Sequence, residues 1–364
     1  MKLTVTQENL SKALGIAGRV ASAKTSLPIL GNILLRTDKG RLLLAATNLE
    51  IAITAYIGSK VEAEGACTVP ARLMGEFMSS LPAGNVNLKL EGTTLHITSG
   101  GYSSKINGMP ADDFPALPTI TATHELELEA KNLKRAIQQV VLVASHDDTR
   151  PVLTGVYWHM HEGALYMAAT DGYRLAEKRL VDNYKNELQA IIPSTTLQEV
   201  VRVMSDEAAT VRVLLDENQV RFLLGDIEIT SKLIDGNFVD YRQLIPNESD
   251  TTVEIDKQSF NRITKVASLF ARDSGGGVTI EASSEESSVK IHSIASQLGE
   301  NTSEAEAKVN AYGKVTLNSR YLIEALGCID ESPLTFSFSG KLSPCVLVAK
   351  SDDSYKHIIM PLKS

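Results

Sequence analysis

The chain has 364 residues, of which 43% are hydrophobic and 22% are charged, and its formal net charge is −8. It contains no apolar run long enough to span a bilayer and no recognisable secretory leader, so we expect a cytoplasmic protein without a membrane partner. Three distant cysteines without a CxxC pair argue against zinc and disulfides, and the acidic balance argues against broad, tight contact with nucleic acid.

The first pattern in the chain, a short alternating strand followed by a polar turn and an amphipathic helix, occurs three times. The copies are LTVTQENLSKAL from Leu3, LELEAKNLKRAI from Leu126 and VEIDKQSFNRIT from Val253. Helical spacing predicts the apolar stripes that face the core, namely Leu10, Leu14 and Ala17, then Leu133, Ile137 and Val140, then Ile263, Val266 and Phe270. A period of about 125 residues is too long for a solenoid repeat and indicates three similar domains.

A second helix recurs later in each copy with the same spacing. The three segments are TVPARLMGEFMSSL from Thr68, IIPSTTLQEVVRVM from Ile191 and TLNSRYLIEALGCI from Thr316. Pro70 and Pro193 stand at the expected helix start, where proline is tolerated, and Asn318 takes that place in the third copy. Short alternating strands fill the rest, which predicts α+β domains dominated by antiparallel sheet. We place these domains at 1–121, 122–248 and 249–364.

One strand and turn of the first copy has a counterpart in the second that matches only in part. LAATNLEIAI at 44–53 corresponds to MAATDGYRLA at 167–176. The shared AAT followed by Asn48 or Asp171 predicts a strand end with a turn-forming residue. The residues that follow differ, and the sequence 172–175 occurs in the second copy only. We therefore predict that the turn is scaffold and that 172–175 has a specific function.

The first helix of each copy is basic although the chain is acidic. The segments 7–24, 130–145 and 256–272 carry formal charges of +2, +3 and +3. The cations on them include Lys12, Arg19, Lys24, Arg135, Arg262, Lys265 and Arg272. Because Lys12, Arg135 and Arg262 share one repeat position, we predict that these helices face duplex DNA. A ring with mildly basic inner helices would stay on DNA by topology and still slide.

Motifs spread over the whole chain, in order, resemble those of the bacterial DNA polymerase III beta subunit, the sliding clamp family. The motifs are LPILGNILL, TVPAR, MPADDFP, TRPVLTGV, ATDGYRLA, SKLIDGNFVDYRQLIP and IIMPL. The resemblance implies three DNA-clamp domains of like topology, with antiparallel sheets outside and helices lining a ring formed by a head-to-tail homodimer. It implies a non-catalytic subunit without a cofactor or metal. The implied partners are duplex DNA of any sequence, a second copy, the DNA polymerase III alpha subunit, the clamp loader, and other polymerases and repair proteins.

The resemblance also implies roles for individual residues. Partner proteins would dock through short peptides in a pocket formed by Leu153, Thr170, Gly172, Tyr173, Arg174, Leu175, Leu244, Pro344, Ile358, Ile359, Met360, Pro361 and Leu362. Loop residues Lys24, His146 and Arg150 would touch DNA. The edge strand around Ser104 to Ile106 would meet the helix around Leu269 and Phe270 of a second subunit, which would also protect that edge from aggregation.

The chain departs from the family pattern at a few positions. Val239 and Gln243 stand where relatives often have proline and arginine, which predicts a changed preference for peptide motifs. Asp147 and Asp148 lie near the expected DNA loop, which argues against close phosphate contact there.

Other functions have weaker support. Ser145, His146 and Asp147 are contiguous and cannot form the line of side chains that a catalytic triad needs. His159 and His161 share a strand face and could bind a metal, but no third ligand is evident. SGGG at 274–277 lacks the lysine of a phosphate-binding loop, and Asp112 with Asp113 fits a turn. A monomeric peptide-binding scaffold that never meets DNA stays open as the alternative function.

Overall fold

The computed structural model describes residues 1–21, 27–205, 208–271, 275–295, 299–330 and 332–363. Lys24 and Arg272 of the expected DNA-facing set, and Ser274 of the SGGG segment, lie outside these ranges. The helices in the described residues are α1 (Gln7–Ala17), α2 (Ala71–Ser80), α3 (Ala130–Val141), α4 (Ser194–Val203), α5 (Lys257–Phe270) and α6 (Ser319–Cys328). None of them is long and apolar enough to cross a membrane.

The strands follow the threefold repeat of the sequence. The first copy contains β1 (Lys2–Thr6), β2 (Asn32–Asp38), β3 (Arg41–Thr47), β4 (Ile51–Gly58), β5 (Lys60–Ala63), β6 (Ala66–Pro70), β7 (Asn85–Glu91), β8 (Thr94–Ser99) and β9 (Tyr102–Asn107). The second contains β10 (His124–Glu129), β11 (Gly155–His161), β12 (Ala164–Thr170), β13 (Arg174–Val181), β14 (Gln189–Pro193), β15 (Thr210–Leu215), β16 (Gln219–Leu224) and β17 (Ile227–Lys232). The third contains β18 (Thr251–Ile255), β19 (Gly277–Ser283), β20 (Ser288–Ala295), β21 (Gly299–Val309), β22 (Gly313–Asn318), β23 (Leu334–Phe338), β24 (Cys345–Ala349) and β25 (Tyr355–Ile359).

Contacts divide the chain into two compact units. Unit 1 comprises Met1–Asn132 and Glu199–Leu233, and its sheets have the strand orders β5-β1-β7-β8-β9 and β10-β15-β16-β17-β4-β3-β2-β6. Unit 2 comprises Leu133–Gln198 and Ile234–Ser364, with one sheet of order β14-β11-β12-β13-β25-β24-β23-β18-β21-β20-β19-β22. The strand pairs of the described residues are antiparallel, so the predicted dominance of antiparallel sheet is confirmed.

The sheets run across the repeat boundaries, so the second copy contributes strands to both units. In unit 1, β4 of the first copy pairs with β17 of the second, with Ile53 opposite Ile229. In unit 2, β13 of the second copy pairs with β25 of the third, with Leu175 opposite Ile358. At both junctions, a strand of one copy thus pairs antiparallel with a strand of the next copy. The domain bounds proposed from the sequence stay a prediction.

The helix faces agree with the sequence for two of the three first helices. The predicted stripes of α1 and α3 are buried. In α5 the buried residues are Phe260, Ile263, Thr264 and Ala267, whereas Val266 is 39% exposed and Phe270 is half-buried. The prediction for Val266 was wrong because the buried stripe continues from Ile263 and Thr264 to Ala267, which turns Val266 outward. The Thr264 hydroxyl is satisfied inside the helix, where it donates to the carbonyl of Phe260 at 2.7 Å.

The second helices begin where the sequence places them. Pro70 is the N-cap residue of α2, and Pro193 immediately precedes α4. The side chain of Asn318 accepts hydrogen bonds from the backbone N–H groups of Arg320 and Tyr321 at the start of α6. Such a cap satisfies amide groups that the first turn of a helix leaves unpaired.

Candidate binding site

The turn at 170–174 joins β12 to β13 and is fixed by its own polar side chains. The Thr170 hydroxyl accepts from Gly172 N at 3.0 Å and donates to the carbonyl of Arg174 at 2.7 Å. The Asp171 carboxylate accepts from the backbone N–H groups of Tyr173 and Arg174 at 2.9 and 3.1 Å. Gly172 has a φ of +92°, a conformation that favours glycine. The turn therefore presents Tyr173, whose side chain is 63% exposed.

Arg174 supports this turn from inside the protein. Its side chain is only 8% exposed and forms ion pairs with Asp171, at 3.0 Å, and with Glu324 of α6. It also donates to the carbonyl of Leu142 at 3.1 Å and lies 4.4 Å above the Tyr321 ring. The guanidinium thus already has partners within the protein and supports the turn, and a contact of Arg174 with a peptide stays a prediction.

An apolar floor lies beside the turn. It is a buried cluster of Ala168, Leu175, Tyr241 and Ile358, called the floor cluster below. Half-buried apolar side chains pack against it, namely Tyr157, Phe238, Ile245 and Val346. Large apolar side chains on the same chain segments are exposed to solvent, namely Tyr173, Val239, Leu244 and Leu342. Exposed apolar groups next to a buried apolar cluster are typical of a surface that binds a partner.

The C-terminal segment is attached to this region by backbone hydrogen bonds. Met360 N donates to the carbonyl of Tyr173 at 2.8 Å, and Leu362 N donates to the carbonyl of Thr316 at 2.8 Å. Met360, Pro361 and Leu362 are half-buried, so part of each side chain faces solvent. The structure therefore brings the predicted tail residues to the exposed tyrosine of the turn.

The other predicted pocket residues are mostly internal. Leu153 is buried in the short 3-10 helix Pro151–Thr154, and its carbonyl accepts from Ser145 N at 2.8 Å. Ile359 is buried in β25, and Pro344 is half-buried just before β24. All the predicted pocket residues lie in unit 2.

His159, considered above as a metal ligand, has a different partner. Its Nε2 lies 2.7 Å from the Tyr241 hydroxyl, and its ring stacks on Tyr157 with centroids 4.6 Å apart. Burial and the nearby Arg242 lower the pKa of His159 to about 4, so the ring is neutral near pH 7. Among the described residues no group of three or more His, Cys, Asp or Glu is placed to hold a metal ion.

Sequence reasoning missed Glu177, which is buried and bonded to Tyr241 and Arg242. The available signal was the alternation of β13, because residues two apart on a strand point to the same side. Leu175 faces the floor cluster, so Glu177 had to point inward as well.

The expected DNA-facing cations fall into two classes. Lys12 on α1 and both Arg262 and Lys265 on α5 are exposed, and no ion pair joins them to any residue within the described ranges. His146 and Arg150 are exposed in the loop that follows α3. These side chains are available to phosphates.

Arg19 and Arg135 are already paired. Arg19 binds Glu199 with 2.8 Å between Nε and Oε2. Arg135 binds Asp330 at 2.6 Å and donates to the carbonyl of Cys328 at the end of α6. Arg135 therefore carries a paired charge, although it shares its repeat position with the unpaired Lys12 and Arg262 of the described residues.

Among the strand edges without a partner strand in the described residues are those of β9 and of part of β21. β9 pairs only with β8, and Ile106 within it is 4% exposed, so its side chain belongs to the core of unit 1. β21 pairs with β20 at 299–306 and with β18 at 307–309, which leaves the other edge of 299–306 open. On α5, Val266 and Leu269 are exposed.

Known proteins match this chain along its length. Models of the N-terminal, central and C-terminal domains of the DNA polymerase III beta subunit match residues 1–118, 127–240 and 242–363. Beta sliding clamps of Staphylococcus aureus and Staphylococcus epidermidis are each 30% identical over 376 residues, covering all of both chains.

Solved sliding clamps have the same fold. The Bacillus subtilis clamp is 26% identical, with a TM-score of 0.96 over 100% of this chain and 99% of that one. A Pseudomonas aeruginosa clamp bound to griselimycin is 25% identical, with a TM-score of 0.95 over 100% of both chains. A Bartonella birtlesii clamp bound to griselimycin is 28% identical, with a TM-score of 0.94 over 100% of both. The predicted fold of three clamp domains is confirmed.

Proposed function

The chain belongs to the bacterial DNA polymerase III beta subunit family, the sliding clamps, and we propose that two copies close head to tail around duplex DNA. It is a non-catalytic processivity subunit for DNA replication. The observation that carries this conclusion is the ordered match of all three domain models, which leaves almost none of the chain outside them. The alternative of a monomeric scaffold is not favoured by this match. We place the activity in the cytoplasm.

The open edges of β9 and β21 support ring closure. β9 carries the exposed Lys105, whereas the open stretch of β21 carries Glu300, Glu304 and Glu306. Edge strands of opposite charge can extend one sheet across two subunits, and the exposed Leu269 adds apolar area. A second copy repeats the contact, which gives a closed dimer.

The mass of the protein in solution tests this interface. Sedimentation equilibrium should give twice 39.4 kDa for the native chain. Lys105→Glu should raise the dimer dissociation constant about 10-fold or more, because it places like charges opposite each other. Lys60→Glu is the matched control, since Lys60 is exposed on β5 at the other edge of the same sheet. A monomeric native protein, or equal effects of the two variants, would contradict the proposal.

DNA would be retained by enclosure and only weakly by charge. Lys12, Arg262 and Lys265 offer few free cations, and the chain as a whole is acidic. Each phosphate contact contributes about −0.9 to the slope of log affinity against log salt, so a few contacts allow sliding.

Partner proteins would dock at the exposed apolar residues beside the floor cluster. We expect the DNA polymerase III alpha subunit, the clamp loader, other polymerases and repair proteins to use short extended peptides here. The support is an apolar surface with an exposed tyrosine and a glycine that lets another backbone approach.

Griselimycin, the ligand of two related clamp structures, is a convenient probe of this surface. Leu244→Asp should weaken its binding in calorimetry at least about 10-fold, because an anchor of this kind contributes more than 1 kcal/mol. Leu49→Asp is the control, since Leu49 is 45% exposed and Leu244 is 50% exposed. Equal binding by the two variants would contradict the assignment of the surface.

A further inference from the structure

A buried polar array lies under the linker, which we define as residues 235–246. Tyr241 of the linker donates its hydroxyl hydrogen to the carboxylate of Glu177 on β13. His159 of β11 lies 2.7 Å from the same hydroxyl, and Arg242 Nη2 lies 2.9 Å from Glu177 Oε2. Glu177, Tyr241 and His159 are each at least nine-tenths buried. The array connects the linker to two strands of the sheet.

The hydrogen bonds of the array share the single hydrogen of the Tyr241 hydroxyl, which Glu177 accepts. The tautomer of His159 with its proton on Nε2 can donate to the same hydroxyl. Burial and the charge of Glu177 raise the pKa of Tyr241, and burial and Arg242 lower the pKa of His159 to about 4. Both groups are therefore neutral, and Arg242 balances the charge of Glu177.

Ring contacts hold the linker on both sides of this array. Phe238 stacks on Tyr157 of β11 with centroids 5.0 Å apart, and Tyr157 stacks in turn on His159. The guanidinium of Arg242 lies 4.4 Å above the ring of Tyr166 on β12. Aromatic and cation–π pairs of this kind each contribute about 0.5–1.5 kcal/mol.

The backbone of the linker has no such attachment to the sheet. Its backbone hydrogen bonds within the described residues run from Leu244 N to the carbonyl of Tyr241 and from Ile245 N to the carbonyl of Arg242. These bonds only close the short 3-10 helix Arg242–Leu244. The positions of the exposed Val239 and Leu244 therefore depend on side-chain contacts, namely those of the array and the ring contacts beside it.

We propose that Glu177, Tyr241 and His159 are positioning residues for partner docking. They fix the linker so that Val239 and Leu244 face the incoming peptide, and they do not touch the peptide themselves. The inference rests on the proposed peptide-binding function. Loosening the linker lowers the fraction of binding-competent protein, so the apparent dissociation constant rises as that fraction falls.

Tyr241→Phe is the first test, since it removes only the shared hydroxyl. Griselimycin binding should weaken about 10-fold in surface plasmon resonance, mainly through a slower apparent association rate. Tyr355→Phe is the matched control. Tyr355 is also buried and donates to Gln139 O at 3.3 Å beside His357 Nδ1, and the hydrogen bonds and ring contact of its side chain given by the described residues lie outside the linker. Tyr355→Phe should bind griselimycin as tightly as the native protein does, even if its free energy of unfolding falls as much as that of Tyr241→Phe.

Glu177 allows a graded test. Glu177→Gln keeps an oxygen that accepts from Tyr241, so its loss of affinity should be a few-fold at most, whereas Glu177→Ala should lose about as much as Tyr241→Phe. The double variant Tyr241→Phe with Leu244→Ala should lose less than the product of the two single losses, because both act through Leu244.

The outcomes distinguish a failure of the proposed docking surface from a failure of the positioning role. If the native protein does not bind griselimycin, the proposed docking surface itself fails. If the native protein binds and Tyr241→Phe binds equally well, or if Tyr355→Phe loses as much affinity, the positioning role is overturned. Losses that multiply fully in the double variant would overturn it as well.

Discussion

The turns at 47–51 and 170–174 have the same backbone structure and different side chains. In the first copy, Thr47 Oγ1 donates to the carbonyl of Ile51 and accepts from Leu49 N, both at 3.0 Å. Asn48 Oδ1 accepts from Glu50 N at 3.0 Å and from Ile51 N at 2.9 Å. The second turn repeats each of these bonds with Thr170 and Asp171. The backbone of the turn therefore belongs to the domain fold and not to a binding function.

The side chains show where the second turn is specialised. Leu49 adopts a φ of +77°, which is unfavourable for a bulky residue, whereas Gly172 adopts +92° without strain. Glu50 is exposed and pairs with Lys232, whereas the corresponding Tyr173 is an exposed aromatic ring. A tyrosine on a turn held by buried ion pairs is suited to bind a partner.

Replacement of Arg174 should produce the largest difference in the free energy of unfolding between the two turns. Arg174→Ala removes the ion-pair partner of Asp171 and one of the two ion-pair partners of Glu324, which keeps Arg320 at 2.8 Å. This should lower the free energy of unfolding by about 3 kcal/mol. Ile51→Ala at the corresponding position should cost about 1 kcal/mol through lost apolar burial. Urea titration at one fixed protein concentration measures both, and equal costs would remove the distinction between the turns.

Removal of the exposed side chains should separate binding from stability. Tyr173→Ala should weaken griselimycin binding 10- to 100-fold, or about 1.4–2.7 kcal/mol, without changing the free energy of unfolding by more than about 0.5 kcal/mol. Glu50→Ala should change neither quantity. Calorimetric titration together with thermal unfolding gives the comparison, and a loss of affinity in Glu50→Ala would show that the first turn binds too.

Gly172→Ala should have a smaller effect that comes from the backbone alone. A Cβ at this position would lie 3.8 Å from Arg150 Nη1, an ordinary contact, so steric overlap is absent. The left-handed conformation still costs a residue with a Cβ about 1 kcal/mol, which urea titration should detect. An unchanged free energy of unfolding would mean that the turn can adopt another conformation.

Leu49→Gly should have the smallest effect and the opposite sign. It relieves a strain of about 1–2 kcal/mol but increases the entropy of the unfolded chain by about 0.5–1 kcal/mol. We expect a gain in stability of less than about 1 kcal/mol. A loss above that size would show that packing of the Leu49 side chain outweighs its backbone strain.

Local patterns in the sequence were enough for the features that depend on neighbouring residues. The two turns, the caps at Pro70 and Asn318 and the core stripes of α1 and α3 follow from periodicity and turn chemistry. These features use contacts within a few residues, which a repeat of similar segments makes visible.

Features that depend on distant residues could not be predicted in this way. Arg174 meets Glu324 across 150 positions of the chain, so nothing near the turn indicated that its charge was already paired. Arg135 is similarly paired with Asp330. The division of the second copy between two sheets arises from the pairing of β4 with β17 and of β13 with β25, which strand periodicity does not specify.

Retention on DNA tests the central claim of a closed ring most directly. The protein should be placed on nicked circular DNA by a bacterial clamp loader, isolated by gel filtration, and divided into intact and linearised samples. A ring that encloses the duplex should remain on the circle and be lost rapidly from the linear DNA, at equal salt. Equal rates of loss from the two templates would contradict enclosure, because contacts with phosphates alone do not distinguish a circle from a line.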